Sequence, residues 1–237
     1  MKEKALVIVP TYNEADNIKQ LIEKILSLKK EVEIIVVDDN SPDGTGKIVD
    51  DLKNNERVHL LKREGKLGLG SAYMAGFRYG FNNNFEYMIT MDADFSHPPE
   101  KIPELINKMD SVDVCVGSRY VKGGIIKNWG PLRRAISRGA NLLAQVLLSS
   151  RIHDNTTGFR CYKADVVNEI LNANVQSSGY SFLVEIAYLL QRKKYKIGEI
   201  PLVFIDRRYG SSKISRKEII QSAKMLFKLW FLKMTRH

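Results

Sequence analysis

Met91-Asp92-Ala93-Asp94 ends a short apolar run with two carboxylates two residues apart. In an extended chain, side chains at i and i+2 share a face. The pair can therefore reach one hard cation, and Mg²⁺ or Mn²⁺ suits oxygen ligands beside a diphosphate. The same residues also suit a turn that caps a helix starting near Pro99. A second acidic pair, Asp38-Asp39, opens the segment Asp38 to Thr45. Ser41-Pro42-Asp43-Gly44 is ordinary turn chemistry, with Asp43 suited to capping a helix over 44–52. Two adjacent like charges at a strand end are harder to explain, because they repel unless a donor-rich partner faces them. In Pro10-Thr11-Tyr12-Asn13-Glu14, Thr11 or Asn13 suits a helix cap and Tyr12 a rim aromatic. Lys66-Leu67-Gly68-Leu69-Gly70 has neither the P-loop nor the dinucleotide spacing and reads as close packing at a helix start. Arg133, Arg134 and Arg138 stand in a stretch with no acid between residues 122 and 150. They suit a phosphate site or a solvated helix face.

These residues need elements that bring them together. Leu6 to Val9, Ile34 to Val37, Tyr87 to Met91 and Val112 to Val116 are short apolar runs, and Val58 to Leu61 is a weaker one. Between them, Ile18, Leu21, Ile22, Ile25 and Leu26 repeat at helical spacing, as do Ala72, Ala75, Gly76 and Tyr79, and Ile102, Leu105, Ile106 and Met109. Buried strands alternating with helices predict a mostly parallel α/β sheet. Ligands of such sheets sit at the carboxyl ends of strands, which puts Thr11 to Glu14, Asp38 to Asp43 and Asp92 to His97 on one rim. Beyond Tyr120 the rhythm fades. Residues 130–149, 164–171, 181–194 and 215–235 read as helices. Residues 153–162 read as a polar turn, 196–205 as extended chain broken at Pro201, and 206–213 as a basic loop.

The chain has 237 residues, of which 37 are Lys or Arg and 27 Asp or Glu. Residues 1–113 hold 15 basic and 20 acidic groups, whereas residues 190–237 hold 13 and 3. The basic end calls for an anionic partner, a nucleic acid or a membrane surface. The longest uncharged stretch, Ile170 to Val184, is polar and shorter than the ~20 apolar residues of a spanning helix. The N-terminus is too short in apolar residues for a signal peptide. Cys115 and Cys161 imply reduced, buried thiols in a cytosolic chain.

Pro10 to Glu14, Val37 to Thr45, Asp92 to Pro99, Gly117-Ser118-Arg119-Tyr120, Thr157-Gly158-Phe159-Arg160, Gly179 to Phe182 with Glu185, and Arg207 to Lys213 occur in order at consistent spacing. Together they resemble the inverting family-2 glycosyltransferases of the GT-A fold, within them the polyprenyl (dolichyl) phosphate mannose synthase group. The resemblance runs from residue 5 to about 213. It implies a GT-A, Rossmann-like catalytic domain over 1–213, beyond which the residue pattern alone reads as an amphipathic helix over 214–237. It implies a GDP-mannose donor, a polyprenyl (dolichyl) phosphate acceptor and Mg²⁺ or Mn²⁺. Pro10, Tyr12, Glu14, Val37 and Asp39 would hold the nucleotide, with Asp39 at the base. Asp92 and Ala93 would line the donor site, and Asp94 with Ser96 would hold the metal. Many relatives carry Gln at the position of Ser96. Arg119 would contact phosphate between the substrates, and Arg133 and Ser137 would take the acceptor phosphate. Arg207 and Lys213 would close over the diphosphate.

This chemistry needs no general base. A phosphate monoester with a second pKa near ~6 is mostly dianionic at pH 7 and is already a nucleophile. A single displacement inverts the anomeric centre. His97, His153 and Asp154 are then structural residues. One rival is a transferase using UDP-glucose or another UDP-sugar, since Asp39 suits either base. Another is a nucleic-acid-binding protein on a disused scaffold, against which Asp92, Asp94, Arg119 and Lys213 argue. Ile219, Ile220, Ala223, Leu226, Phe227, Trp230, Phe231 and Met234 form one stripe of the tail helix, and Lys217, Gln221, Lys224 and Lys228 another. That pattern suits an anionic membrane surface or packing on the domain or on another subunit. With a lipid acceptor, it predicts a peripheral enzyme on the cytoplasmic face of a membrane, alone or with a small membrane-anchoring subunit.

Overall fold

The computed structural model describes residues 4–173, 175, 177, 179–206 and 216–234. Among them, seven strands form one sheet in the order β3-β2-β1-β4-β7-β5-β8. They are β1 (Ala5–Thr11), β2 (Glu33–Asp38), β3 (Val58–Lys62), β4 (Tyr87–Thr90), β5 (Val114–Ser118), β7 (Arg160–Lys163) and β8 (Ile197–Pro201). All pairings are parallel except those of β7, which runs antiparallel between β4 and β5. A parallel two-stranded ribbon joins β6 (Ile125–Lys127) to β9 (Val203–Ile205).

The strands alternate between two cores, as the period of two requires. Val7, Val9, Ile34, Val36 and Ile89 face α1 (Ala15–Leu26), α2 (Thr45–Asp50) and α4 (Ile102–Lys108). Leu6, Ile8, Ile35, Val37 and Met88 face α3 (Leu69–Asn82), α6 (Ala164–Asn172) and α7 (Tyr180–Arg192). With helices on both faces, the central strands are apolar at nearly every position, which is why they read as unbroken runs. The sheet order reverses at β1, whose neighbours are β2 and β4. The crevice beyond the carboxyl ends of β1 and β4 is therefore the switch point where such folds bind ligands.

The segment 153–162, read as a turn, is corrected by the structure: its end enters strand β7. Only four residues long, with charged Arg160 and Lys163 at its ends, β7 has no periodic signature. It exists because β4 and β5 each offer it an edge.

Two helices complete the chain. α5 (Pro131–Leu148) and α8 (Arg216–Met234) lie against α7 through Ala144, Leu148, Val184, Tyr188, Leu226 and Leu229. Lys233 on α8 donates to the Leu147 carbonyl (3.3 Å) and the Ser149 hydroxyl (2.6 Å). A cation at the carboxyl end of α5 complements its dipole. The single stripe expected on α8 is divided. Leu226 is buried on the domain, whereas Phe227, Trp230, Phe231 and Met234 remain exposed. The side chains at 217, 219–221 and 223 and the expected boundary at 213 lie outside the described residues.

Candidate active site

The first two loops of the rim are fastened to each other. The backbone N–H groups of Asn13, Glu14 and Ala15 donate to Ser41 Oγ (3.1 Å), Thr45 Oγ1 (3.0 Å) and Asp43 Oδ2 (3.0 Å). The orphan donors at the start of α1 are thus taken by the β2–α2 loop, and neither Thr11 nor Asn13 caps the helix. Asp43 also accepts from the Thr45 hydroxyl and N–H. Burial works to raise its carboxyl, but these donors hold it below the ordinary range. Asn13 and Asn40 sit at φ 58° and 55°, the left-handed region that Asn tolerates well.

The donor-rich partners of Asp38 and Asp39 lie within the protein. Asp38 accepts from the Thr11 hydroxyl (2.8 Å) and from the Ser41 hydroxyl and N–H (2.6 and 3.0 Å). Asp39 pairs with the Arg63 guanidinium and accepts from the N–H groups of Leu67 (3.0 Å) and Gly68 (3.2 Å). Asp39 therefore acts on its surroundings through Arg63 and the 67–68 turn. Lys66 in that turn stands 4.3 Å from the centroid of the Tyr12 ring. Gly70 packs against Phe182, where a Cβ would come within 2.9 Å of the ring. Val37 and Ala93 are buried in the cores, leaving only their backbone for a ligand.

At the end of β4 the two aspartates have different settings. Asp92 is about a third exposed. Its Oδ1 accepts from Tyr73 Oη (3.2 Å), and its N–H donates to His97 Nδ1 (3.1 Å). That bond places the His97 proton on Nε2. The His97 ring is buried, stacked on Phe159 (5.2 Å) and edge-on to Phe204 (6.0 Å). Gly158 lies directly behind, where a Cβ would stand 2.8 Å from Tyr73 Oη and 3.4 Å from Asp92 Oδ1. Asp94 is buried and accepts the Ser96 N–H (3.1 Å). Between them, Phe95 sits at φ 60°, a costly conformation for a bulky residue and one that clusters at functional sites. The Ser96 hydroxyl is buried and has no hydrogen-bond partner among the described residues. No group of three or more His, Cys, Asp or Glu suited to a metal occurs among the described residues. Two carboxylates and an orphaned hydroxyl are a thin donor set, of the kind Mg²⁺ completes with substrate phosphates and water. The residues present fit such an ion.

On the other side, Arg119 is buried and doubly bonded to Asp154 (Nε–Oδ2 and Nη2–Oδ1, both 2.7 Å), with Thr156 Oγ1 at 2.8 Å. Burial works to raise the Asp154 carboxyl, but the Arg119 charge and hydrogen bonds hold it below the ordinary range. Glu199 on β8 fixes the segment by accepting the N–H groups of His153 (2.9 Å) and Asp154 (3.1 Å). The guanidinium of Arg119 lies 5.3 Å from the ring centroids of both Trp129 and Phe204. Arg133, in the first turn of α5, stacks on Trp129 at 4.1 Å and donates to Asp206 Oδ2 at 2.7 Å. One turn on, Ser137 Oγ accepts from Tyr120 Oη (2.7 Å). Arg134 bonds the Ile126 carbonyl, and Arg138 is exposed. Arg207 and Lys213 lie outside the described residues.

Among the described residues, the expected site residues thus fall in two groups, one at the ends of β1, β2 and β4 and one at the start of α5, with Arg119, Trp129 and Phe204 between them. Tyr73, Gly158, Trp129 and Asp206 were not singled out from the sequence. Each acts through a partner distant in the chain, so only Gly158, within Thr157-Gly158-Phe159-Arg160, carried any signal.

A mostly parallel sheet with an acid-x-acid motif at its switch point is the architecture of GT-A-type glycosyltransferases. The model of glycosyl transferase family 2 matches residues 6–171, and the chain belongs to that family. It is 39% identical over 220 residues to a polyprenol monophosphomannose synthase of Mycolicibacterium smegmatis, covering 92% of this chain and 83% of the relative. It is 38% identical over 213 residues to an undecaprenyl-phosphate mannosyltransferase of Micrococcus luteus, covering 90% and 88%. The fold is similar to that of glucosyl-3-phosphoglycerate synthase from Mycobacterium tuberculosis in complex with Mn²⁺ and UDP, with a TM-score of 0.72 at 15% identity, covering 97% of this chain and 80% of that one. It is also similar to a mannosyltransferase from Pyrobaculum calidifontis in complex with GDP-Man and Mn²⁺, with a TM-score of 0.61 at 17% identity, covering 100% and 65%.

Proposed function

We propose that this chain transfers mannose from GDP-mannose to a polyprenyl phosphate with inversion. The observation that carries the reading is the juxtaposition of two surfaces. The acidic end of β4, Asp92 and Asp94, is linked through His97, Phe204 and Trp129 to Arg133 in the first turn of α5, a helix whose exposed Leu132 and Ile136 are suited to lipid. The names of the two curated relatives support the same sugar and acceptor class.

Pro10, Tyr12 and Glu14 line the nucleotide end, with Asp39 shaping it through Arg63 and the 67–68 turn. Asp94 and Ser96 would hold Mg²⁺ or Mn²⁺, which when bound neutralises charge on the leaving diphosphate. Asp92, held by Tyr73 and His97, orients the sugar end. Arg119, fixed by Asp154, supplies positive charge that needs no reorganisation as the diphosphate departs. Arg207 and Lys213 take the closing role implied by the family pattern. An oxygen of the dianionic lipid phosphate attacks the anomeric carbon as the bond to the diphosphate breaks. No protein base is used.

The exposed side chains Leu132, Ile136, Leu142, Leu143 and Val146 of α5, with Phe227, Trp230, Phe231 and Met234 of α8, form the lipid-facing surface. Exposed Arg134, Arg138, Lys224 and Lys228 accompany them and favour anionic headgroups. No helix among the described residues is long and apolar enough to cross a membrane. The exposed apolar and basic side chains favour contact at the membrane surface, directly or through a membrane subunit.

The test is transfer of labelled sugar from GDP-mannose and UDP-glucose in parallel to a polyprenyl phosphate, with and without Mg²⁺ or Mn²⁺. Metal-dependent label in the organic phase from GDP-mannose alone is expected. Label from UDP-glucose alone would move the donor, and none from either donor would overturn the pairing.

A further inference from the structure

The guanidinium proposed to receive the acceptor phosphate already holds an anion of the protein. Arg133 Nη1 donates to Asp206 Oδ2 at 2.7 Å, and the two side chains are 31% and 26% exposed. The pair is partly desolvated yet open to solvent, so it is neither locked in the core nor a loose surface contact. Arg133 lies in a helix and Asp206 directly follows a strand. Arg133 sits in the first turn of α5 with its guanidinium over Trp129. Asp206 follows β9, with its N–H directed at the Lys127 carbonyl of β6 at 3.4 Å.

We propose that Asp206 is the resident counter-ion of the acceptor-phosphate seat. It occupies Arg133 when no phosphate is bound, yields it to the incoming lipid phosphate and takes it back as product leaves. This rests on Arg133 being the phosphate ligand.

Charge counting gives the exchange its direction. The acceptor monoester carries close to two negative charges at pH 7. Attack forms a bond from one phosphate oxygen to the anomeric carbon, and the carbon–oxygen bond to the nucleoside diphosphate breaks with its electron pair on the leaving group. The lipid phosphate becomes a diester with one negative charge. Its attraction to Arg133 falls roughly in proportion, while that of Asp206 is unchanged. The carboxylate therefore competes poorly before transfer and well after it. An arginine without such a stand-in would hold the product and leave an unpaired, partly buried cation behind on release, which is costly.

The experiment compares wild type, Asp206→Asn, Asp206→Glu and Arg133→Ala in the full chain. GDP-mannose, a short-chain polyprenyl phosphate and its mannosylated product are the probes. Asp206→Asn is expected to lower the acceptor KM and the product inhibition constant, each by about fivefold to tenfold. The GDP-mannose KM should stay unchanged, and Asp206→Glu should resemble wild type. A raised or unchanged acceptor KM in Asp206→Asn would overturn the proposal, because a merely structural partner of Arg133 gives that sign. If Arg133→Ala leaves the acceptor KM unchanged, the phosphate reading itself fails. If it raises the KM while Asp206→Asn has no effect, only the exchange fails. Should the Asn variant lose its melting transition, Asp206→Ser replaces it with the same expected signs.

Discussion

The proposed donor rim and the proposed acceptor face are built by opposite rules. On the donor rim, Asp38, Asp39 and Asp43 are each satisfied by several protein donors, and the loops that carry them are fastened together before any ligand arrives. On the proposed acceptor face, a large apolar surface on α5 and α8 is exposed, and among the described residues Arg133 pairs with the partly exposed carboxylate of Asp206. A small charged donor is recognised by fixed dipoles, which do most when they need not reorganise. A long lipid offers little but one phosphate and apolar area, and the site proposed for it is a surface with an ion pair on it.

The largest effect should fall where the donor rim lacks a substitute. Asp94→Ala removes the buried carboxylate that accepts the N–H of Ser96, whose hydroxyl has no hydrogen-bond partner among the described residues. It should lower kcat by about a thousandfold. A loss below about tenfold in steady-state assays would mean that the donor side has a substitute for the lost carboxylate.

Next comes the wall between them. Asp154→Asn strands the buried charge of Arg119, a change that costs about 3–5 kcal/mol and should lower Tm by about 10 °C in a chain of this size. The native Asp154 carboxyl titrates below its ordinary value. The pair therefore contributes in full above about pH 4 and is lost as pH falls through the lowered folded value. Wild type should lose stability in acid faster than the variant, in melts run from pH 7 down to pH 3.

These two cases also mark what a sequence can carry. The acid-x-acid motif, the apolar strands and the helical spacing of α1, α3 and α4 are local, so Asp92, Asp94 and the parallel sheet were legible. Asp154 could be read as structural, but not as the partner of Arg119, 35 residues away. Asp39 could be flagged as needing donors, but not that Arg63 and the 67–68 turn provide them. Strand β7 was hidden because its reason lies in the edges of β4 and β5. On α8, periodicity gave an amphipathic helix, but only the packing of Leu226 and Leu229 decides which apolar residues remain outside.

A smaller effect is expected on the acceptor face. Trp230→Ser with Phe231→Ser removes apolar area that this structure leaves exposed. Burial of such side chains is worth about 2 kcal/mol each at most. Flotation with anionic vesicles should weaken by tenfold or more, while transfer to a short, water-soluble acceptor stays at wild-type rate. Unchanged flotation would assign that surface to a protein partner.

The smallest effect tests the sheet beneath the two sides. Cys115 and Cys161 face each other across β5 and β7, both buried. Burial pushes the Cys115 thiol up to about 12 and the Cys161 thiol well above its ordinary value. At pH 8 neither supplies thiolate, the reactive form. A thiol reagent should label neither cysteine in the native protein, with or without donor, and both once the chain is unfolded. If adding GDP-mannose or acceptor makes either thiol reactive, the junction of β4, β7 and β5 opens during binding. The rigid donor rim would then move with the acceptor face instead of standing apart from it.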